Sequence, residues 1–215
     1  METTAYIALS RQAALRRQMA VIANNLANMN TPAFKGDSIL FVEHVVKSKG
    51  DESFIPTKLS YTRDVAQITD LSEGAIRSTG NRLDLAIKGE GYFIVESPDK
   101  ELYSRNGRFQ LDGEGRLVSQ HGFPVLSDAG TPLIFSPADT EINIAKDGTV
   151  STNNGDLGRI RIVRFESEQA LEKQAGGLMS TEQDPEDVEA PTIIQGALEG
   201  SNVEPILELT KMIQT

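Results

Sequence analysis

Cysteine is absent from the 215 residues, as is tryptophan, and aromatic residues make up only 6%. Without cysteine there is no disulfide, no thiolate metal site and no cysteine nucleophile. Two histidines, His44 and His121, are the only imidazoles, and neither a His-x-x-x-His nor a His-Glu-x-x-His spacing occurs. Clustered positive charge is also lacking: the formal net charge is −10, which argues against phosphate-backbone binding. No apolar run approaches the ~18 residues a membrane helix needs. The start, Met1-Glu2-Thr3-Thr4-Ala5, has no basic stretch followed by an apolar one, so no cleaved secretory leader is expected. The chain then either stays in the cytoplasm or leaves without leader cleavage.

Hydrophobic residues at 39% support a real core, and the length suits one main folded body with appendages. Residues 3 to 29 hold no glycine or proline and read as one long helix, roughly 40 Å at 1.5 Å per residue. Ala8, Leu15, Met19, Ile22, Leu26 and Met29 recur at alternating four and three spacings, interrupted by Gln12, while Leu9, Ala13, Ala20, Ala23 and Ala27 flank them. A seam of that period suits a coiled-coil partner better than a broad globular face. Pro32 stops the helix and pushes Thr31 toward an extended conformation.

The expected organisation is an N-terminal assembly helix and turn over 1–35, an extended arm with short strands over 36–75, and a central β domain over 76–165. An acidic loop over 166–195 and a short C-terminal assembly helix over 196–215 complete it. Together they make an α+β fold in which terminal helices pair as a coiled coil around an antiparallel β domain. In the arm, Phe34 and Ile39 to Val42 offer packing residues and 47–53 a polar loop. In the β domain, Leu83, Leu85 and Ile87 alternate with polar or small residues, and Tyr92 to Val95 is a short apolar strand. Asn106-Gly107 between two short runs signals a type I′ hairpin. Asp112-Gly113-Glu114-Gly115, Asp147-Gly148 and Asn154-Gly155 add turns, and a small barrel or sandwich is expected. Residues 166–195 carry eight acids against Lys173 alone, with Gly176-Gly177, Pro185 and Pro191 among them, hence the loop reading. In the tail, Ser201 or Asn202 is a candidate cap, Pro205 fits the first turn, and Ile206, Leu209 and Ile213 continue the three-four spacing.

Candidate chemistry is thin. Gly89-Glu90-Gly91 lacks the third glycine and the following helix of a nucleotide loop, so it reads as a strand turn. Both histidines lack a paired nucleophile. Arg105, Arg108 and Arg116 read as a solvated strand face, and the acids of 166–195 as solubilising. No catalytic, cofactor or metal residues are expected, and the chain reads as a non-enzyme. Asn24, Asn25, Asn28 and Asn30 stand out, because asparagine disfavours helix interiors. Either the helix frays ahead of Pro32, or a polar row fixes register between packed helices.

The run Asn24-Asn25-Leu26-Ala27-Asn28-Met29-Asn30-Thr31-Pro32-Ala33-Phe34-Lys35 resembles the N-terminal signature of bacterial flagellar rod and hook proteins. Gly196-Ala197-Leu198-Glu199-Gly200-Ser201-Asn202-Val203 is similar to their C-terminal signature. Gly80 to Phe93 and Tyr103 to Phe109 resemble the β domain these axial proteins share. Leu9-Ser10-Arg11-Gln12, Leu15-Arg16-Arg17 and the short middle look most like the proximal-rod branch, with the distal rod or another hook-type subunit as the alternative. The resemblance implies a basal-body rod subunit crossing the periplasm, exported through the flagellar type III apparatus without leader cleavage, with no nucleic acid and no membrane insertion. It implies helical assembly with copies of itself and other rod proteins into a hollow, torque-transmitting shaft. The assembly residues it implies, together with the seam above, are Leu15, Met19, Ile22, Asn24, Asn25, Leu26, Asn28, Asn30, Phe34, Ser201, Asn202, Val203, Ile206, Leu209 and Ile213. Two departures follow. Ala33 stands where the family usually has glycine, so a positive φ there would be strained. The tail offers about 14 residues from Asn202, ~21 Å of helix; either it has been shortened or helix pairing is incomplete.

Overall fold

A computed structural model describes residues 2–47, 58–98, 100–139 and 141–215, with side chains from Ala8 to Leu40 and from Ala66 onward. The fold is α+β, with one helix near each end and antiparallel strand pairs throughout the sheets described. It divides into two compact units.

The first unit gathers α1 (Glu2–Ala27), β1 (Asp37–Lys47), β2 (Lys58–Thr69) and α2 (Pro205–Gln214). Alanine, leucine and arginine carry α1, and it ends two residues short of the expected Met29. There Asn28 N–H reaches the carbonyls of Asn24 and Asn25, both at 3.1 Å, and Met29 N–H reaches Leu26 O at 3.4 Å. That tightened last turn precedes Pro32. The arm is one antiparallel pair of 11 and 12 residues rather than short strands. Its register shifts between Leu40 and Phe41, where β2 holds Val65 as an extra residue. The polar loop expected over 47–53 lies outside the described residues from 48 on, as do the side chains of Phe41, Val42 and His44.

The second unit spans Asn30–Phe34 and Leu71–Asn202. Its strands are β3 (Ile76–Ser78), β4 (Leu85–Lys88), β5 (Tyr92–Glu96), β6 (Glu101–Ser104), β7 (Phe109–Leu111), β8 (Leu117–Ser119), β9 (Ile142–Ile144), β10 (Thr149–Thr152), β11 (Gly155–Arg159), β12 (Ile162–Arg164), β13 (Glu172–Lys173), β14 (Leu178–Ser180), β15 (Glu186–Asp187), β16 (Thr192–Gln195) and β17 (Ala197–Glu199). The largest sheet has six strands in the order β13-β14-β6-β5-β12-β15, and smaller pairs and a triplet surround it instead of one closed barrel. Both its faces are covered, which explains why Tyr92-Phe93-Ile94-Val95 is apolar without alternation. Phe93 and Val95 join a cluster with Leu85, Ile87, Phe109 and Val150; Tyr92 and Ile94 join one with Tyr103, Val163, Phe165 and Met179.

Three expectations change here. Asn106-Gly107 does not close a hairpin: β6 pairs with β5 and β14, and β7 pairs with β8. Glycine is required at 107 for another reason, since a Cβ would overlap the Leu85 carbonyl, whose own N–H donates to Gly107 O at 2.9 Å. The hairpin signal also fits an Asx turn, with Asn106 Oδ1 accepting from Arg108 N–H at 3.1 Å. Second, residues 166–195 are not a loop but supply β13 to β16, with Leu178, Met179 and Ile193 buried. Three of their acids sit at the rim: Glu172 lies on β13 and Glu186 and Asp187 on β15, the two outermost strands, where charge discourages edge pairing. Third, α2 starts at Pro205 with Glu204 as its N-cap residue. Asn202 is occupied elsewhere, its side-chain amide donating to Ser72 O and Oγ at 3.2 Å each.

Candidate assembly site

Within the first unit, one face of α1 turns inward through Ala14, Ile22 and Asn25, all buried, with Leu15, Gln18, Val21 and Leu26 half-buried beside them. Met19 does not belong to this face: it is 41% exposed, and the flank residues Leu9, Ala13, Ala20, Ala23 and Ala27 are exposed too. The stripe is therefore narrower than the six apolar residues of the seam suggest, and asparagine holds one of its buried positions.

Asn25 is the junction. Its Nδ2 donates to Asp37 O at 2.8 Å and to Glu208 Oε2 at 3.1 Å, while its Oδ1 accepts from Asp37 N–H at 3.0 Å. Both amide hydrogens and the carbonyl are engaged, so α1 is tied at once to the start of β1 and to α2. The other oxygen of Glu208 takes Lys211 Nζ at 2.6 Å. The remaining asparagines divide differently. Asn28 donates to its own helix at Asn24 O, 2.9 Å, and Asn24 and Asn30 are exposed. Asn25 thus links α1 to β1 and to α2, while Asn28 closes the end of its own helix.

Because Glu208 faces inward, the apolar edge of α2 faces out. Ile206 is 82% exposed, Leu209 45% and Ile213 87%, with Leu207 also exposed. The expected spacing is present, and it points away from the chain's own α1.

In the second unit the two signature stretches meet. β17 pairs with β3, Ala33 N–H donates to Glu199 O at 2.9 Å, and Asn202 N–H donates to Phe34 O at 3.2 Å. Phe34 is half-buried and lies 5.3 Å from the Lys173 ammonium across its ring face. Ser201 and Asn202 are half-buried here, as is Val203 in the first unit. Ala33 has φ 56°, the one positive φ outside glycine among the described residues. A left-handed alanine costs about 1–2 kcal/mol, and glycine returns part of that as unfolded-chain entropy. Ala33→Gly should therefore stabilise the chain by about 0.5–1 kcal/mol, seen as a higher thermal midpoint; an unchanged or lower midpoint would show that the turn carries no strain.

Arg105 corrects the solvated-face expectation. It is buried, donating through Nε to Glu199 Oε2 at 3.0 Å and through Nη1 to Gly89 O at 2.7 Å and Gly91 O at 2.6 Å. Glu199, 1% exposed, also accepts Gly74 N–H at 3.0 Å. Arg108 is exposed, and Arg116 pairs with Asp112 at 2.7 Å, holding that carboxyl below its usual range. Gly89 and Gly91 have φ of 89° and 133° in the turn between β4 and β5. Tyr92 lies against the guanidinium, 5.8 Å from its ring centre; burial first, then the charge of Glu168, pushes its hydroxyl far above the ordinary tyrosine value. These buried groups brace the signature strands. Sequence reasoning missed Arg105, Glu199 and Glu208. Glu199 closes the short strand Ala197-Leu198-Glu199, which was a usable signal; Arg105, just past the end of β6, and Glu208, between Leu207 and Leu209, offered none.

Among the described residues, no cluster of His, Asp or Glu is arranged to hold a metal, and no helix is long and apolar enough to cross a membrane. Three sequence profiles match the chain: "Flagella basal body rod protein" over residues 6–35, "Flagellar hook protein FlgE/F/G D1 domain" over 86–152, and "Flagellar basal body rod FlgEFG protein C-terminal" over 194–215. The flagellar basal-body rod protein FlgF of Caulobacter vibrioides is 37% identical over 217 residues, covering 100% of this chain and 88% of that protein. FlgF of Mesorhizobium japonicum is 32% identical over 216 residues, covering 99% and 87%. The rod protein FlgG of Bacillus subtilis is 31% identical over 231 residues, covering 97% and 88%.

Proposed function

Since this chain belongs to the flagellar basal-body rod protein family, as a structural subunit related to proximal-rod FlgF, we propose that it polymerises helically through its two ends into the proximal rod. The family is one of structural proteins of the basal body and not of enzymes. In the assembled rod, α1 and α2 pair as a coiled coil and meet neighbouring copies and other rod proteins. Residues 1–35 and 196–215 act as assembly segments and 76–165 as the outer β domain. The shaft is hollow, crosses the periplasm and transmits torque. Subunits reach it through the type III export apparatus without leader cleavage.

One observation carries this reading: Ile206, Leu209 and Ile213 form an apolar edge on α2 that its own chain leaves in water. A head-to-tail contact whose rotation does not close gives a filament, and such an edge is the surface it needs. Ile206→Glu with Ile213→Glu tests it. Both positions are exposed, so unfolding free energy should move by no more than about 0.5 kcal/mol, while cells relying on the variant should stop swimming. Normal swimming with a stable variant rejects the reading. A distal-rod or other hook-type subunit is the alternative, favoured by the FlgG similarity; cross-linking to neighbours in isolated basal bodies separates the two.

A further inference from the structure

An amphipathic helix lying on a helix ordinarily turns its apolar side inward. α2 does the reverse: Glu208 is buried, and Ile206 and Ile213 are the exposed side chains. Something must favour this orientation over the rolled one, and within this unit the polar contact at Asn25 is the specific candidate. A carboxylate enters a buried position only where donors meet it. Asn25 Nδ2 and Lys211 Nζ do so, one on each oxygen. Lys211 belongs to α2 itself and would travel with any roll, so it cannot choose the orientation. Asn25 belongs to α1 and is fixed by the backbone N–H and carbonyl of Asp37. It can therefore act as an external reference.

We infer that the Asn25–Glu208 hydrogen bond is an orientation lock, which sets the rotation of α2 about its own axis and so leaves its apolar edge facing outward. A buried polar contact chooses one alignment among several that apolar packing alone tolerates. The lock is a property of the single chain. Only its use, presenting that edge to another subunit, rests on the rod reading.

The absence of cysteine makes the test clean. Met212→Cys, on the half-buried side of α2, and Ile213→Cys, on the exposed side, are introduced separately into the purified full chain. Their rates of reaction with a small thiol reagent are compared. The inner probe should react well below the outer one. Asn25→Asp keeps the side-chain shape but removes both donated hydrogens and sets a carboxylate against Glu208. The ratio of inner to outer rate should then rise about five-fold, as a covered position opens. Adding Glu208→Gln restores a donor from the α2 side, and the ratio should fall back toward its starting value. A steric role for Asn25 predicts no change in the first variant, and that result overturns the proposal. A rise that the double variant fails to reverse also overturns it, because Asn25 would then act through Asp37 alone. Urea unfolding of the β unit is followed in each variant to show that the rest of the chain stays folded. Labelling is read on isolated chains. If it goes as expected while the glutamate variants still swim, the rod-contact reading fails and the lock stands.

Discussion

Glu199→Ala is expected to cost about 3–5 kcal/mol of unfolding free energy, because it strands a buried guanidinium. Of its hydrogen bonds Arg105 would keep only those to the carbonyls of Gly89 and Gly91, and Gly74 N–H would lose its acceptor. Natural domains hold roughly 5–15 kcal/mol in total, so urea titration should show the midpoint moving far toward zero denaturant. Arg105→Lys should not rescue by charge alone, since one ammonium cannot reproduce a fork that serves a carboxylate and two carbonyls. The informative comparison is the double replacement Arg105→Met with Glu199→Leu. Removing both charges removes the burial penalty of each, so the double should be less damaging than the sum of its parts by more than about 1 kcal/mol. Additive losses would mean that the two groups do not sense each other.

A second large effect is expected at Phe93→Ala, about 3–5 kcal/mol. Phe93 is fully buried in the middle strand pair of the six-stranded sheet and meets Phe109 edge-on, ring centres 5.1 Å apart at 88°. The Gly107 backbone closes the same space, since a Cβ there would stand 3.0 Å from the Phe93 ring. With backbone on one side and a fixed ring on the other, little collapse is available to refill the hole. Pairing Phe93→Ala with Phe109→Ala isolates the ring contact, which should couple by about 0.5–1.5 kcal/mol. A loss below about 1 kcal/mol for the single change would contradict tight packing at this position.

The elements with the strongest periodicity were the legible ones. α1, the strand at Tyr92 to Val95 and the turn at Asp112 to Gly115 all formed where residue type and spacing agreed. Ala33 was legible as a question, because only its conformation was missing. What escaped depended on partners distant in sequence. Residues 166–195 look like a loop by charge, yet part of that charge lies on rim strands while the short runs Leu178-Met179 and Ile193 pack inside. Composition averaged over the segment mixes the two. Asn106-Gly107 carries a hairpin signal that its context overrules, since β6 already has partners on both edges. Arg105 was assigned to solvent because local pattern cannot see an acid placed 94 residues later. At α2 the spacing of Ile206, Leu209 and Ile213 was visible, but its direction was not. Direction hangs on Asn25 and Glu208, which are 183 residues apart.

The pairing of β17 with β3 bears on the order of events during folding. The turn at Ala33 is stapled by Glu199, and β3 gains its partner only from residues 197–199. Contacts joining such distant stretches close slowly, because ordering the intervening chain must come first. A polypeptide emerging or being threaded N-terminus first thus has its opening signature in hand long before the residues that fasten it. Until those late residues arrive, the strained alanine is free to relax, and nothing commits the chain to its finished shape.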